Sequence, residues 1–167
     1  VIKVGVNGYG TIGRRVADAV ALQPDMKLIG IVEIKPDYRV RLALKKGYNF
    51  YTPDETWMKK FEDSGLKVSG TLEELMKNVD ILVDATPAGV GEQNKSLYVR
   101  SGVKAIFEGG EKARVADRSF VAQCNYSKAL GINYIRCVSC NTTALCRTIH
   151  TLDEAFGVRR VTATVIR

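Results

Sequence analysis

The chain has 167 residues, of which 46% are hydrophobic, so it can bury a core and is not expected to be disordered. No apolar run approaches the roughly 20 residues that span a bilayer, and the first residues have the pattern of a strand instead of a secretion signal, so a cytoplasmic protein is expected. The net charge of +7 attracts anions, and because the basic residues are scattered and not interleaved with aromatic ones, phosphorylated small molecules are favoured over nucleic acid as partners.

Short apolar runs alternate with helical patterns along the chain. The apolar runs predict strands over residues 2–7, 27–33, 65–70, 80–86, 103–110, 134–139 and 159–167. The helical patterns cover residues 11–22, 37–46, 54–64, 71–78, 91–101 and 141–156. Thr71 and Glu74 form a capping-box pattern at the start of the fourth helix. This alternation predicts an α/β fold with a doubly wound, mostly parallel sheet.

The last predicted strand differs from the others, because its apolar residues Val161, Ala163 and Val165 alternate strictly with polar ones. Such alternation implies a half-exposed strand. A single strand cannot satisfy its backbone or bury its apolar side alone. We therefore expect either that a second domain begins here or that the strand pairs with another molecule.

The segment NGYGTIGRR contains Gly8, Gly10 and Gly13 in a G-x-G-x-x-G pattern, directly after a predicted strand and at the start of a predicted helix. In this context the first glycine allows a tight turn, the second lets the backbone approach a pyrophosphate, and the third lets the helix lie close to the strand. The N–H groups at the helix N-terminus add attraction for a phosphate. The pattern predicts a Rossmann-like dinucleotide-binding domain, and the alternative is a glycine-rich turn without a ligand.

Glu33 lies at the end of the second predicted strand, about 20 residues after the glycines. A carboxylate there can accept hydrogen bonds from both ribose hydroxyls and would repel a 2′-phosphate, so it favours NAD over NADP. The nearby Lys35 and Arg39 weaken this preference and leave NADP possible. The alternative is that Glu33 is an ordinary exposed residue at a strand end.

Ligands of open parallel sheets lie beyond the carboxyl ends of the strands. Thr86 and Pro87 lie at the end of one predicted strand, and Gly109 and Gly110 lie at the end of another, where the backbone could approach the nicotinamide half of a cofactor. Ordinary turn chemistry is the alternative for both pairs.

Cys140 lies between a predicted strand and a predicted helix. A thiol in the first turn of a helix faces the positive end of its dipole, which favours the thiolate. Ser139, Asn141 and Thr142 surround it with hydroxyl and amide groups suited to a small polar substrate. A thiolate beside a nicotinamide site implies oxidation of an aldehyde through a thiohemiacetal and a thioester.

The remaining cysteines fit a structural role better than Cys140 does, and the number of cysteines does not suggest a small secreted disulfide framework. With a single histidine in the chain, a metal site is not expected. That histidine, His150, is ten residues after Cys140, which is about 15 Å along a helix. A general base must come within about 3 Å of its proton, so His150 is not expected to serve Cys140.

The runs NGYGTIGRRVADAV, FEGGEKA and SCNTTALCRT resemble archaeal-type phosphorylating glyceraldehyde-3-phosphate dehydrogenases, over essentially the whole chain. The resemblance is to the amino-terminal portion of these enzymes. It implies a dinucleotide-binding domain over residues 1–139, followed over residues 140–167 by the first helix and strand of an α+β catalytic domain. It further implies a homotetramer for the full-length family, and a glycolytic reaction that converts glyceraldehyde 3-phosphate, phosphate and NAD(P)⁺ into 1,3-bisphosphoglycerate.

Carried over by motif, the resemblance makes Cys140 the nucleophile, with Ser139 and Asn141 as substrate contacts. It makes Thr11, Ile12 and Gly110 cofactor contacts. The family often has a basic residue where this chain has Glu33, which puts dual cofactor use in doubt. In the family, the catalytic histidine and most substrate-phosphate contacts come later than residue 167, so weak or no turnover is expected from this chain alone.

A second class of function and a neighbouring enzyme of the same class remain open. A non-catalytic dinucleotide-binding module or redox sensor is supported by the lack of a base within reach of Cys140. A semialdehyde dehydrogenase shares the cysteine at the start of a helix, although the SCNTT run speaks against it.

Overall fold

The computed structural model describes residues 1–166. Strands and helices alternate along this part of the chain in the order β1 Ile2–Asn7, α1 Thr11–Ala21, β2 Met26–Val32, α2 Tyr38–Lys45, β3 Phe50–Tyr51, α3 Glu55–Glu62, α4 Leu72–Met76, β4 Ile81–Asp84, α5 Val90–Ser101, β5 Lys104–Phe107, a 3-10 turn Ala113–Val115, β6 Arg118–Phe120, α6 Ala122–Ala129, β7 Tyr134–Cys137 and α7 Cys140–Phe156. The predicted capping box is present, with the Thr71 side chain accepting from the N–H of Glu74 and the Glu74 side chain accepting from the N–H of Thr71.

Within residues 1–166 the strands form one seven-stranded sheet in the order β3-β2-β1-β4-β5-β7-β6, and every pair is parallel. This confirms the predicted doubly wound α/β fold, which is Rossmann-like. The chain reverses its direction of travel across the sheet between β1 and β4. In such sheets the crevice between the carboxyl ends of those two strands is the place where ligands bind.

Two apolar cores cover the two faces of the sheet, because successive residues of a strand point to opposite sides. Ile31 and Val83 belong to the core that α1, α2 and α3 close, whereas their neighbours Val32 and Leu82 belong to the core that α4 and α5 close. Burial on both faces explains why the central strands are nearly continuous apolar runs in the sequence.

The predicted strand over residues 65–70 is wrong, since residues 66–70 have no regular structure. The edge strand is instead β3, whose Phe50 pairs with Ile31 of β2. The 65–70 segment runs past β3 with the Ser69 N–H donating to the Phe50 carbonyl, and it buries Leu66 in the core. Its apolar residues therefore serve packing and not strand pairing.

The closing strand is also wrong over the described part of residues 159–167, because residues 158–166 form no strand and Val161 and Val165 are exposed. No strand of residues 1–166 lies beside this segment, so its backbone has no ladder to join. The last residue of that prediction, Arg167, lies outside the described residues. The sequence patterns predicted neither β6 nor α6. The helix α6 is short and is interrupted at Asn125, whose backbone is not helical.

Candidate functional site

The glycine loop joins β1 to α1 as tightly as its sequence predicts. Gly8 has a φ of 92°, in the left-handed region that favours glycine. A Cβ on Gly13 would lie 1.8 Å from the carbonyl oxygen of Gly8, so the helix begins directly against the turn. This close approach aims the N-terminal N–H groups of α1 at the carboxyl edge of the sheet.

A cleft of about 550 Å³ lies at that edge, between the ends of β1, β2, β4 and β5. Most of the predicted cofactor residues line it, namely Gly8, Gly10, Thr11, Ile12, Glu33, Thr86 and Pro87. Gly13 lies behind the turn and Gly110 does not line the cleft, whereas its neighbour Gly109 does. Residues that sequence reasoning did not select also contribute to the wall, among them Asn7, Ile34, Pro53, Leu72, Asn94 and Glu108.

The residues of this cleft fit a dinucleotide. A Cβ on Gly10 would meet no atom within 4 Å, which leaves open space beside the backbone where a pyrophosphate could approach. The first N–H groups of α1 have no partners within the helix, and they offer hydrogen bonds and partial positive charge to an anion. The apolar side chains of Ile34, Pro53 and Leu72 provide a surface for a flat base.

Glu33 is buried, contrary to the alternative of an exposed strand end. One of its carboxylate oxygens accepts from the Tyr9 N–H at 3.2 Å and the other from the Ile34 N–H at 2.8 Å. These two bonds fix the carboxylate at the cleft wall. Lys35 and Arg39 line the cleft beside it, so the predicted mixture of charges is present.

Beneath the cleft, a buried polar network surrounds Asp84, which is 1% exposed. Its carboxylate accepts from the Tyr98 hydroxyl, from the N–H and hydroxyl of Thr86, and from the Asn94 amide. The Tyr98 hydroxyl in turn accepts from the Asn7 amide at 2.8 Å. Burial, and then the charge of Asp84, raise the pKa of Tyr98. The network holds three cleft residues, Asn7, Thr86 and Asn94, in place.

Glu111 is a second buried carboxylate that sequence reasoning missed. It accepts from the N–H groups of Gly89 and Gly91 at 2.8 and 3.0 Å, at the start of α5. Because the N-cap residue of α5 is a glycine without a side chain, Glu111 supplies the cap from a distant loop. The sequence did contain a signal for both buried carboxylates, because each is an acidic residue in or shortly after an apolar run: Asp84 in ILVDAT and Glu111 in FEGGE.

Cys140 is the first residue of α7 and is exposed. Ser139 caps this helix through its side chain, which accepts from the Thr142 N–H at 3.2 Å. The Cys140 Sγ lies 3.8 Å from the Asn141 Oδ1. The structure thus brings the predicted nucleophile and its three predicted substrate contacts together at one helix N-terminus, but none of them lines the cleft.

The end of β7 connects this group to the cleft. Burial raises the pKa of the Cys137 thiol, and the neighbouring Glu108 raises it further. Glu108 lines the cleft, and Cys137 is three residues before Cys140. His150 lies farther along α7, where its Nε2 is 3.4 Å from the Glu154 Oε1. His150 is ten residues after Cys140 along this helix, which corresponds to a rise of about 15 Å.

None of the helices in residues 1–166 combines the length and apolar character needed to cross a membrane. The same part of the chain contains no cluster of three or more His, Cys, Asp or Glu residues that could hold a metal ion.

Comparison with known proteins gives matches over nearly the whole chain. The family model described as dihydrodipicolinate reductase, N-terminus, matches residues 2–109. A glyceraldehyde-3-phosphate dehydrogenase from Thermoplasma volcanium is 54% identical over 166 residues, which are 99% of this chain and 49% of the relative. One from Thermococcus kodakarensis is 58% identical over 153 residues, or 92% of this chain and 46% of the relative. The chain spans about half the length of the curated relatives it matches.

Among solved structures, an aspartate semialdehyde dehydrogenase with NADP from Candida albicans is similar, and the match covers 95% of this chain and 48% of the Candida chain. The TM-score is 0.62 and the identity is 18%, so the likeness is one of fold.

Proposed function

Because the chain belongs to the archaeal glyceraldehyde-3-phosphate dehydrogenases, we propose that it supplies the cofactor cleft and the nucleophile of such a dehydrogenase. It matches the amino-terminal portion of these enzymes, and its residues 2–109 also belong to the family described as dihydrodipicolinate reductase, N-terminus. The reaction is the NAD(P)-dependent oxidation and phosphorylation of glyceraldehyde 3-phosphate to 1,3-bisphosphoglycerate. Residues 1–139 form the dinucleotide-binding domain, and residues 140–167 begin the catalytic domain.

The observation that carries the proposal is the cleft at the carboxyl ends of β1, β2, β4 and β5. Gly8, Gly10, Thr11 and Ile12 would bind the pyrophosphate through backbone N–H groups at the start of α1. Glu33 would accept hydrogen bonds from the adenosine ribose. NAD(P)⁺, when bound, supplies the hydride acceptor.

Residues Thr86, Pro87 and Gly110 would hold the nicotinamide half of the cofactor. Thr86 is well suited to orient a ligand, because both its N–H and its hydroxyl are fixed by Asp84. Gly110 follows Gly109 at the far wall of the cleft.

Cys140 would act as the nucleophile. Its sulfur would add to the aldehyde carbon to give a thiohemiacetal, for whose oxidation to a thioester a bound NAD(P)⁺ would supply the hydride acceptor. Inorganic phosphate would then cleave the thioester and release the acyl phosphate and the thiolate. N–H groups in the first turn of α7 would stabilise the oxyanion, and Ser139, Asn141 and Thr142 would contact the substrate. Since His150 is too far along α7, the proton of the hemiacetal hydroxyl passes to a group other than His150.

The test of cofactor binding is calorimetric titration of NAD⁺ and NADP⁺ into the chain and into Gly10→Ala. The added methyl group meets no protein atom, so the melting temperature should stay within about 2 °C. It fills the space proposed for the pyrophosphate, so we expect nucleotide binding to weaken by about tenfold or more. Failure of the unsubstituted chain to bind either dinucleotide would refute the proposed function.

A non-catalytic dinucleotide-binding module is the second candidate, because Cys140 is exposed and does not line the cleft. Alkylation with iodoacetate separates the two. Fast modification of Cys140 at neutral pH, slowed by glyceraldehyde 3-phosphate and located by peptide mass spectrometry, supports the enzyme. Modification at the same rate as Cys124 and Cys146, with no protection by the substrate, supports the binding module.

A further inference from the structure

The adenosine end of the cleft carries an unusual pairing of charges. Glu33, Lys35 and Arg39 line this end, and the N-cap residue of α2, Asp37, lies between the two basic residues in sequence. One carboxylate and two cations therefore line the place where the ribose of a dinucleotide would lie, and Asp37 is paired with one of these cations, Arg39. If the proposed function holds, this is where NAD is distinguished from NADP, since the two cofactors differ only by a 2′-phosphate on that ribose.

Asp37 binds Arg39 in two ways. Its Oδ1 accepts from the backbone N–H of Arg39 at 2.9 Å, which caps α2. Its carboxylate also accepts from the guanidinium, with the Nε 2.8 Å from Oδ2 and the Nη2 on the same oxygen. The hydrogen bond from Arg39 lowers the pKa of Asp37. The two side chains are 22% and 33% exposed, for Arg39 and Asp37 respectively, so water screens the pair only in part.

Asp37 takes up one of the two edges through which the Arg39 guanidinium could bind a phosphate. A guanidinium recognises carboxylate and phosphate through parallel pairs of N–H donors, and Asp37 occupies the Nε–Nη2 pair of Arg39 while its negative charge opposes an approaching phosphate. Glu33 adds to this repulsion, because its carboxylate is fixed at the cleft wall by the N–H groups of Tyr9 and Ile34 and cannot turn away from an incoming phosphate.

We propose that Asp37 is a specificity-determining positioning residue, which occupies one edge of the Arg39 guanidinium, offsets its charge and so makes the cleft favour NAD over NADP. Arg39 is then the group that would bind the 2′-phosphate once released. The inference rests on the proposed function, and it assigns the preference to an ion pair beside Glu33 and not to Glu33 alone.

The test uses Asp37→Asn, because asparagine is as good an N-cap as aspartate and keeps the side-chain volume while removing the charge. The probes are 5′-AMP and adenosine 2′,5′-bisphosphate, titrated by calorimetry at one ionic strength. We expect the bisphosphate to bind about fivefold more tightly to Asp37→Asn than to the unsubstituted chain, while the affinity for 5′-AMP changes by less than about twofold. Adding Arg39→Met to Asp37→Asn should abolish the gain.

Asp18→Asn is the matched control, because it removes a carboxylate that is paired with Lys46 and does not line the cleft. A similar gain in this control would show an effect of net charge and overturn the inference. An unchanged ratio of the two affinities in Asp37→Asn, with both probes binding, would overturn the inference but leave the proposed function intact. If neither probe nor NAD⁺ binds to the unsubstituted chain, the proposed function fails and takes this inference with it.

Discussion

Replacing Tyr98 by phenylalanine tests whether the buried network holds the cleft together. The substitution removes one hydroxyl that donates to the Asp84 carboxylate and accepts from the Asn7 amide. A hydrogen bond to a charged group contributes about 1.5–3 kcal/mol, and an unsatisfied buried donor costs about 1–3 kcal/mol. Because the two effects overlap, we expect the free energy of unfolding to fall by about 3 kcal/mol.

The measurement is urea denaturation followed by circular dichroism, together with thermal melting. For a chain of this size, about 3 kcal/mol corresponds to a melting temperature roughly 6–12 °C lower. NAD⁺ binding should weaken as well, since Thr86 and Asn94 depend on the same carboxylate. Tyr126→Phe is the control, because that side chain is 61% exposed and its ring packs only loosely on Phe120. A loss below about 1 kcal/mol in Tyr98→Phe would refute this account of the network.

Two further substitutions test the loop and the pH dependence. In Gly13→Ala the new Cβ would lie 1.8 Å from the Gly8 carbonyl oxygen, so the turn and the helix must separate. Unlike Gly10→Ala, this variant should lose both thermal stability and nucleotide binding. Retention of either property would contradict the geometry of the turn. Burial, and then the hydrogen bond to Asp18, raise the pKa of Tyr48 to about 12. Below the unfolded value of about 10 the hydroxyl is protonated in both states, and above it only the unfolded state ionises. The free energy of unfolding should therefore fall between pH 10 and about 12, and less steeply for Tyr48→Phe; parallel curves in urea titrations would contradict this.

Sequence patterns predicted the elements whose environment is uniform along their length. The central strands are apolar on both faces, and α2, α3 and α4 begin at the local caps Asp37, Asp54 and Thr71, so these signals lie within a few residues. The edge of the sheet is different, because residues 50–51 and residues 65–70 could each form the edge strand. Which of the two segments forms it depends on which one pairs with the backbone of Ile31 and Val32. The short β6 and the interrupted α6 have no clear period, so no pattern indicated them.

The candidate site divides in the same way. The glycines and Glu33 belong to one local motif, and the structure places most of them on one cleft wall. The Asp84 network joins residues 14 and 91 positions apart, and Glu111 caps a helix 20 positions earlier. Contacts over such distances follow from the strand order, which no single stretch of sequence contains. Whether Cys140 approaches the cofactor is likewise a question of how α7 lies relative to the cleft, and it stays a prediction.

The borders of the sheet have a consequence for behaviour at high concentration. Among the described strands, the two outermost are the shortest, with two residues in β3 and three in β6. A neighbouring molecule that added a strand beside β3 or β6 would find at most three residues to pair with, so these two strands offer a poor template for fibril growth. A parallel sheet folds slowly, and its strands are exposed to other molecules while it folds. The short outer strands β3 and β6 reduce the risk of aggregation during that time.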